Sequence, residues 1–119
     1  SPSRPKIEGV EQEAYFRDAA RLFKAGLRIP LALVGGIRSF EVAEGLVNEG
    51  IADFVSMSRP FIREPGLVNR WKSGDRRRAT CISDNRCFGP AMRGTGFYCV
   101  VEKEGRADDQ KSGGAEKEF

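Results

Sequence analysis

Apolar residues along this chain alternate between two periods. Phe16, Ala19, Ala20 and Phe23 stand at i, i+3, i+4 and i+7, while Glu11, Glu13, Arg17, Asp18, Arg21 and Lys24 mostly lie off that stripe. This spacing predicts a helix from Val10 to about Lys24 with one buried face. Gly26 is placed to end it, since glycine takes positive φ without a Cβ clash. Pro30 breaks any helix, and the unbroken apolar run Leu31–Val34, bounded by Pro30 and Gly35-Gly36, predicts a strand buried on both faces. Ser39 is a fitting N-cap for a second helix, Phe40 to Glu49, with a stripe of Val42, Ala43, Leu46 and Val47 and with Gly50 closing it. A second strand is predicted at Asp53 to Met57. A third helical region holds Leu67, Val68 and Trp71 and halts near Gly74.

The order α-β-α-β-α is the cadence of an α/β fold with parallel strands. A βαβ crossover is right-handed, so both strands place their C-terminal ends on one edge. Gly35-Gly36 and Ser58-Arg59 therefore emerge side by side, on the edge where α/β proteins keep their ligands. Two glycines allow a sharp turn and a close approach to backbone amides. The helix that starts at Ser39 adds unpaired N–H groups and partial positive charge. Ser58-Arg59 adds a hydroxyl and a guanidinium that can fork onto phosphate oxygens. Either element alone also serves as a plain tight turn or a surface ion pair; their pairing one crossover apart points to a phosphate pocket.

Composition narrows the function. The chain has 119 residues, 39% hydrophobic and 31% charged. No apolar run approaches the roughly 18 residues of a membrane-spanning helix, and Ser1–Lys6 has no apolar signal region, so no membrane role and a cytoplasmic location are expected. There is no histidine, which removes the commonest general base and metal ligand. Net charge is +3, concentrated between Arg59 and Arg93, where nine basic residues face Glu64, Asp75 and Asp84. The run Arg76-Arg77-Arg78 has no interleaved aromatic platforms, so it reads as a solvated surface and no nucleic-acid partner is expected. Residues 102–119 carry ten charges and three apolar side chains, which predicts a flexible tail behind a folded part at 1–101. Cys81, Cys87 and Cys99 are an odd set, expected as free thiols.

Leu33-Val-Gly-Gly-Ile-Arg-Ser39, Val42-Ala43-Glu44, Gly50-Ile-Ala-Asp-Phe-Val-Ser-Met-Ser-Arg-Pro60 and Arg63-Glu64-Pro65, with Asn69-Arg70-Trp71 and Ser73-Gly74-Asp75, resemble the C-terminal part of the Old Yellow Enzyme family of NADH:flavin oxidoreductases. The resemblance covers residues 1–101. It implies an α/β fold that is the stretch from helix 6 to helix 8 of a (β/α)8 TIM barrel, containing two parallel strands. It also implies FMN as cofactor, with Gly35 and Gly36 wrapping the phosphate and Ser58 and Arg59 holding it; the family more often has Gly where Ser58 stands. The family's substrate-orienting His/His or His/Asn pair and proton-donating Tyr belong to earlier strands, so no catalytic residue is assigned here.

A whole barrel takes about 250 residues, so the resemblance implies part of an enzyme in which NAD(P)H reduces the flavin and the flavin passes a hydride to an activated alkene. The chain alone keeps only the phosphate-gripping half of that site, so no turnover is expected of it. One branch of the family holds an iron–sulfur cluster through C-x2-C-x3-C; here Asp84 stands at the second ligand and Cys87 falls one residue early for the third, so no metal is expected. Two alternatives stay open: another phosphate-binding barrel, and a non-catalytic half-barrel that binds phosphate or assembles with further copies through open strand edges.

Overall fold

The structure, a computed structural model, describes residues 2–113 and divides between Asn85 and Arg86 into two compact units. In the first unit a 3-10 turn at Val10–Gln12 precedes α1 (Arg17–Gly26), β1 (Ala32–Val34), α2 (Phe40–Asn48), β2 (Phe54–Ser56), α3 (Arg59–Arg63) and α4 (Leu67–Lys72). The strands pair in parallel, with Ala32 opposite Phe54, Leu33 opposite Val55 and Val34 opposite Ser56. The α-β-α-β-α order and parallel pairing are those read from the sequence. The chain is thus a small α/β protein.

Four local expectations are corrected. The first helix starts at Arg17, seven residues late, because Ala14 sits at φ +50° and breaks the path after the 3-10 turn. Its stripe is only partly used: Ala20 is buried, but Phe23 is 64% exposed. Gly26 is the last helical residue and takes no positive φ; the end is made by the Leu27 N–H on the Phe23 carbonyl at 2.9 Å. The strands are buried on one face only. Leu33 is buried and Val55 packs on the same core, whereas Ala32, Val34, Phe54 and Ser56 are exposed. The sheet of the described residues is covered by helices on a single side, so the apolar run that predicted double burial leaves one face open.

One core cluster joins Ala20, Leu33, Ile37, Ala43, Leu46 and Ile51, and fixes α1 and α2 against the sheet. A second gathers Leu67, Trp71 and Ala79, with Phe40, Met57 and Phe61 packed against it. Phe40 and Trp71 meet edge to face at 5.7 Å, and the Trp71 indole N–H donates to the Arg77 carbonyl at 3.0 Å. Asp53, just before β2, accepts from the Leu31 N–H at 2.8 Å and pairs with Lys24, tying α1 to both strand starts.

The second unit contains α5 (Phe88–Met92) and α6 (Val100–Gly113). A flexible tail was expected from Glu102, but the described part is helical. Glu, Lys, Arg, Asp and Ala are acceptable in an exposed helix, and Arg106 pairs with Glu102 one turn earlier at 2.7 Å. Arg86 adds a pair with Glu104 at 2.6 Å. Residues 114–119 of the expected tail lie outside the described residues. No helix among the described residues is long and apolar enough to cross a membrane.

Candidate functional site

Parallel pairing carries Gly35-Gly36 and Ser58-Arg59 out of the same sheet edge, as expected. Both glycines need their freedom: φ is +129° at Gly35 and +70° at Gly36. A Cβ on Gly36 would stand 2.7 Å from two ring carbons of Tyr15, and one on Gly35 would stand 2.9 Å from a third. The close approach that the glycines permit is made in this structure by the Tyr15 ring.

Ser58 is exposed and N-caps α3, whereas Arg59 is buried, 7% exposed, as the first residue of that helix. Arg59 Nη1 donates to the Arg4 carbonyl at 2.8 Å and to Asn85 Oδ1 at 2.6 Å. Asn85 Nδ2 in turn donates to the Ser3 carbonyl at 2.8 Å, and Arg4 lies over the Tyr15 ring at 4.6 Å. The Ser3–Arg4 segment is thus fastened beside Arg59 by groups from two parts of the chain.

Ser39 is the N-cap of α2, as its type predicts, but it does not cap with its own hydroxyl. Glu13, whose side chain is fully buried, accepts from the Ser39 N–H and the Ser39 Oγ at 2.6 Å each, and from the Arg38 N–H. The Arg38 and Ser39 amides, just ahead of the helical residues of α2, are occupied by a carboxylate of the chain itself. A positive-φ alanine next door, Ala14, turns Glu13 inward; such a conformation costs a residue with a Cβ roughly 1–2 kcal/mol.

Arg38 is the least expected member. It is 1% exposed. Its Nε donates to Ser83 Oγ at 3.1 Å and its Nη1 to the Ile37 carbonyl at 2.9 Å, while Nη2 has no hydrogen-bond partner among the described residues. Burial, aided by the charges of Arg59 and Arg78, holds its guanidinium below the usual arginine pKa against the opposing pull of Cys81 and Tyr15. Arg78 approaches Glu13 at 3.8 Å. The cluster therefore contains two buried arginines, a third that is partly exposed, and Glu13 as the buried carboxylate.

The four residues picked from the sequence thus leave one sheet edge, but reading by motif missed Glu13, Tyr15, Arg38, Ser83 and Asn85. Arg38 lay inside the quoted Gly-Gly-Ile-Arg-Ser run, next to the cap residue, and that position was its available signal. Glu13 and Ser83 reach the site from 26 and 45 residues away in sequence, a separation no local pattern reports. Among the described residues no three Cys, Asp or Glu gather as a metal site, and Cys81, Cys87 and Cys99 are not joined in disulfides.

No profile of a known protein family matches the chain. It is similar to 4,4'-dithiodibutanoate disulfide reductase of Rhodococcus erythropolis, 39% identical over 90 residues, which cover 76% of this chain and 22% of that protein. It is also similar to bilirubin reductase of Mediterraneibacter gnavus, 28% identical over 98 residues, covering 81% of this chain and 15% of that one. NADH oxidase of Thermoanaerobacter brockii is 39% identical over 72 residues, covering 59% and 11%. The chain spans about a fifth or less of the length of these curated relatives. All three are oxidoreductases by name, and it is with proteins of that kind that this chain shares sequence over most of its length.

Proposed function

We propose that this chain is the phosphate-gripping part of an FMN-dependent NAD(P)H oxidoreductase of the Old Yellow Enzyme type. The observation that carries the reading is the pair of buried guanidiniums, Arg38 and Arg59, beside two glycines of positive φ at one edge of a parallel sheet. The donors of this set suit a phosphate, which the Tyr15 ring must leave Gly35 and Gly36 to admit. It would supply negative charge where Glu13 is the buried carboxylate, and an acceptor near the Arg38 nitrogen that has none. Gly35 and Gly36 would contribute backbone N–H groups, Ser58 its hydroxyl and Arg59 its guanidinium. FMN, when bound, supplies hydride transfer from NAD(P)H to an acceptor, for which an activated alkene is the proposed class. The residues of this chain anchor and orient; none is assigned to the chemical step.

The test is an FMN titration of the full chain followed by quenching of flavin fluorescence. Saturable quenching that inorganic phosphate weakens, and that Arg59→Ala reduces by about tenfold or more, supports the reading. A folded chain that leaves flavin fluorescence unchanged at every concentration overturns it.

A second reading, assembly through the open sheet, is favoured by one observation. Phe54 is 61% and Val34 49% exposed on the face that no helix of the described residues covers. Sedimentation of the chain and of Phe54→Lys distinguishes the readings: association that the substitution abolishes supports assembly, and a monomer at all concentrations rejects it.

A further inference from the structure

Both halves of the proposed anion site are filled by groups of the chain itself. At the glycines the occupant is the Tyr15 ring, two carbons of which lie 2.7 Å from where a Cβ on Gly36 would stand. At the arginine the occupants are oxygens: Arg59 Nη1 donates to the Arg4 carbonyl at 2.8 Å and to Asn85 Oδ1 at 2.6 Å. A guanidinium Nη carries two N–H donors, and these acceptors take up the donors that a phosphate oxygen would otherwise draw on.

One short segment ties the two occupants together. The Tyr15 hydroxyl donates to the Pro2 carbonyl at 2.9 Å and accepts from the Arg4 N–H at 3.3 Å. The Arg4 guanidinium lies over the Tyr15 ring at 4.6 Å. Asn85 Nδ2 donates to the Ser3 carbonyl at 2.8 Å. Residues 2–4 are therefore clasped by Tyr15, Asn85 and Arg59, and lifting them frees the ring and the guanidinium together.

The clasp is polar and lies at the surface. Pro2, Arg4, Pro5 and Lys6 are exposed and Ser3 is half-buried; the first buried residue is Ile7, whose carbonyl Arg78 holds at 2.6 Å. A segment fastened by exposed hydrogen bonds, with no buried apolar side chain of its own, opens at low cost while the core stays folded.

We propose that residues 2–4 and Tyr15 form an autoinhibitory strap. Closed, it covers Gly35-Gly36 with the Tyr15 ring and occupies Arg59 with the Arg4 carbonyl; open, it releases both to a phosphate group. The proposal rests on the reading that this edge binds phosphate, and adds how access to it is regulated. Strap and ligand exclude each other, so the observed affinity is the open-state affinity reduced by the open fraction. Loosening the strap therefore tightens binding. That sign separates a strap from a scaffold, because removing a scaffold contact weakens binding or leaves it unchanged.

The experiment uses the full chain and two variants. Tyr15→Phe removes the hydroxyl from Pro2 and Arg4. Asn85→Gly removes the clasp on Ser3 and Arg59, and glycine suits the φ of +62° at that position. Affinity for inorganic phosphate is taken from thermal-midpoint shifts at fixed ionic strength, and that for FMN from flavin quenching. Each variant should bind both ligands about three- to tenfold more tightly, the worth of about one hydrogen bond. In the unmodified chain, saturating phosphate should quicken hydrogen exchange at the Arg4 amide. Folded variants that bind both ligands no more tightly than the unmodified chain overturn the strap, while saturable FMN binding by the unmodified chain keeps the FMN reading in place. If neither variant folds, the exchange measurement decides alone: Arg4 exchange that phosphate leaves unchanged or slows overturns the strap. A chain that binds neither phosphate nor FMN, with variants that bind neither, overturns both readings.

Discussion

Glu13 and Ser39 are joined by two hydrogen bonds of 2.6 Å, across 26 residues of chain. The bonds do two things together: they cap α2, and they hold the Gly35–Ser39 loop against the segment that leads into α1. Glu13 also faces Arg78 at 3.8 Å. Glu13→Ala removes the cap acceptor and leaves buried cations with no carboxylate, a change of the kind that costs about 3–5 kcal/mol. Glu13→Gln keeps an acceptor oxygen and should cost less than half as much. Urea unfolding of both variants by circular dichroism checks the order; equal midpoints for the two would show that the retained acceptor is worth nothing and that loss of the charge sets the cost.

Gly36→Ala meets two obstacles that can be separated. One is the positive φ of +70°; the other is the Tyr15 ring, 2.7 Å from the added Cβ. Each is expected to contribute about 1–3 kcal/mol. Tyr15→Ala in the same chain should recover the steric part and not the conformational part, so the double variant should unfold at lower urea than Tyr15→Ala alone and the two changes should be non-additive. Additive losses would mean that Tyr15 moves aside freely.

These two predictions mark where sequence reading stopped. Local signals were legible: Pro30 and Gly35-Gly36 bounded β1, Gly50 at φ +71° closed α2, and Ser39 stood at the N-cap. The parallel pairing of Leu33 with Val55 followed from the crossover rule. What local pattern could not supply was the partner of each group. Ser39 looked like a helix cap that would use its own oxygen, and only the fold brings Glu13 to it. Glu13 itself looked like a surface residue off the stripe, because Ala14 takes a backbone conformation that alanine seldom adopts. Arg38 carries no marker of burial in its type, since arginine is rarely enclosed. Its enclosure depends on Ser83, far along the chain.

The acid side of the stability profile should be set in part by Glu64. Arg70 hydrogen-bonds both its carboxylate oxygens, one through Nη2 at 3.1 Å, and this contact chiefly holds the Glu64 carboxyl below its ordinary value of 4.5. Asp75 is likewise held low, first by Arg77, with Arg70 also nearby. A carboxyl whose pKa is depressed on folding contributes stability that is complete above its unfolded value and lost as pH falls through the folded one. Stability should therefore be flat from neutral pH to about 5 and decline as pH falls further. Glu64→Gln should lower stability at pH 7 and make the decline shallower. A decline of unchanged steepness in Glu64→Gln, measured by thermal unfolding between pH 3 and 7, would assign the acid sensitivity to other groups.

Adjacent residues of α4 offer a direct test of what burial contributes. Leu67 is 0% exposed, in contact with the Trp71 cluster, whereas Val68 is 46% exposed. Leu67→Ala removes apolar surface and opens a cavity under Trp71, at about 2–5 kcal/mol, a large part of the ~5–15 kcal/mol that stabilises a typical domain. Val68→Ala removes fewer and wetter atoms and should stay within about 0.5–1 kcal/mol. The single tryptophan reports on both, since loosened packing lets water reach the indole and shifts its emission to longer wavelength. Leu67→Ala should show that shift before unfolding, and Val68→Ala should not. If the two cost the same, the cluster around Trp71 is not closed in solution, and the burial of Leu67 does not set the stability of this part of the chain.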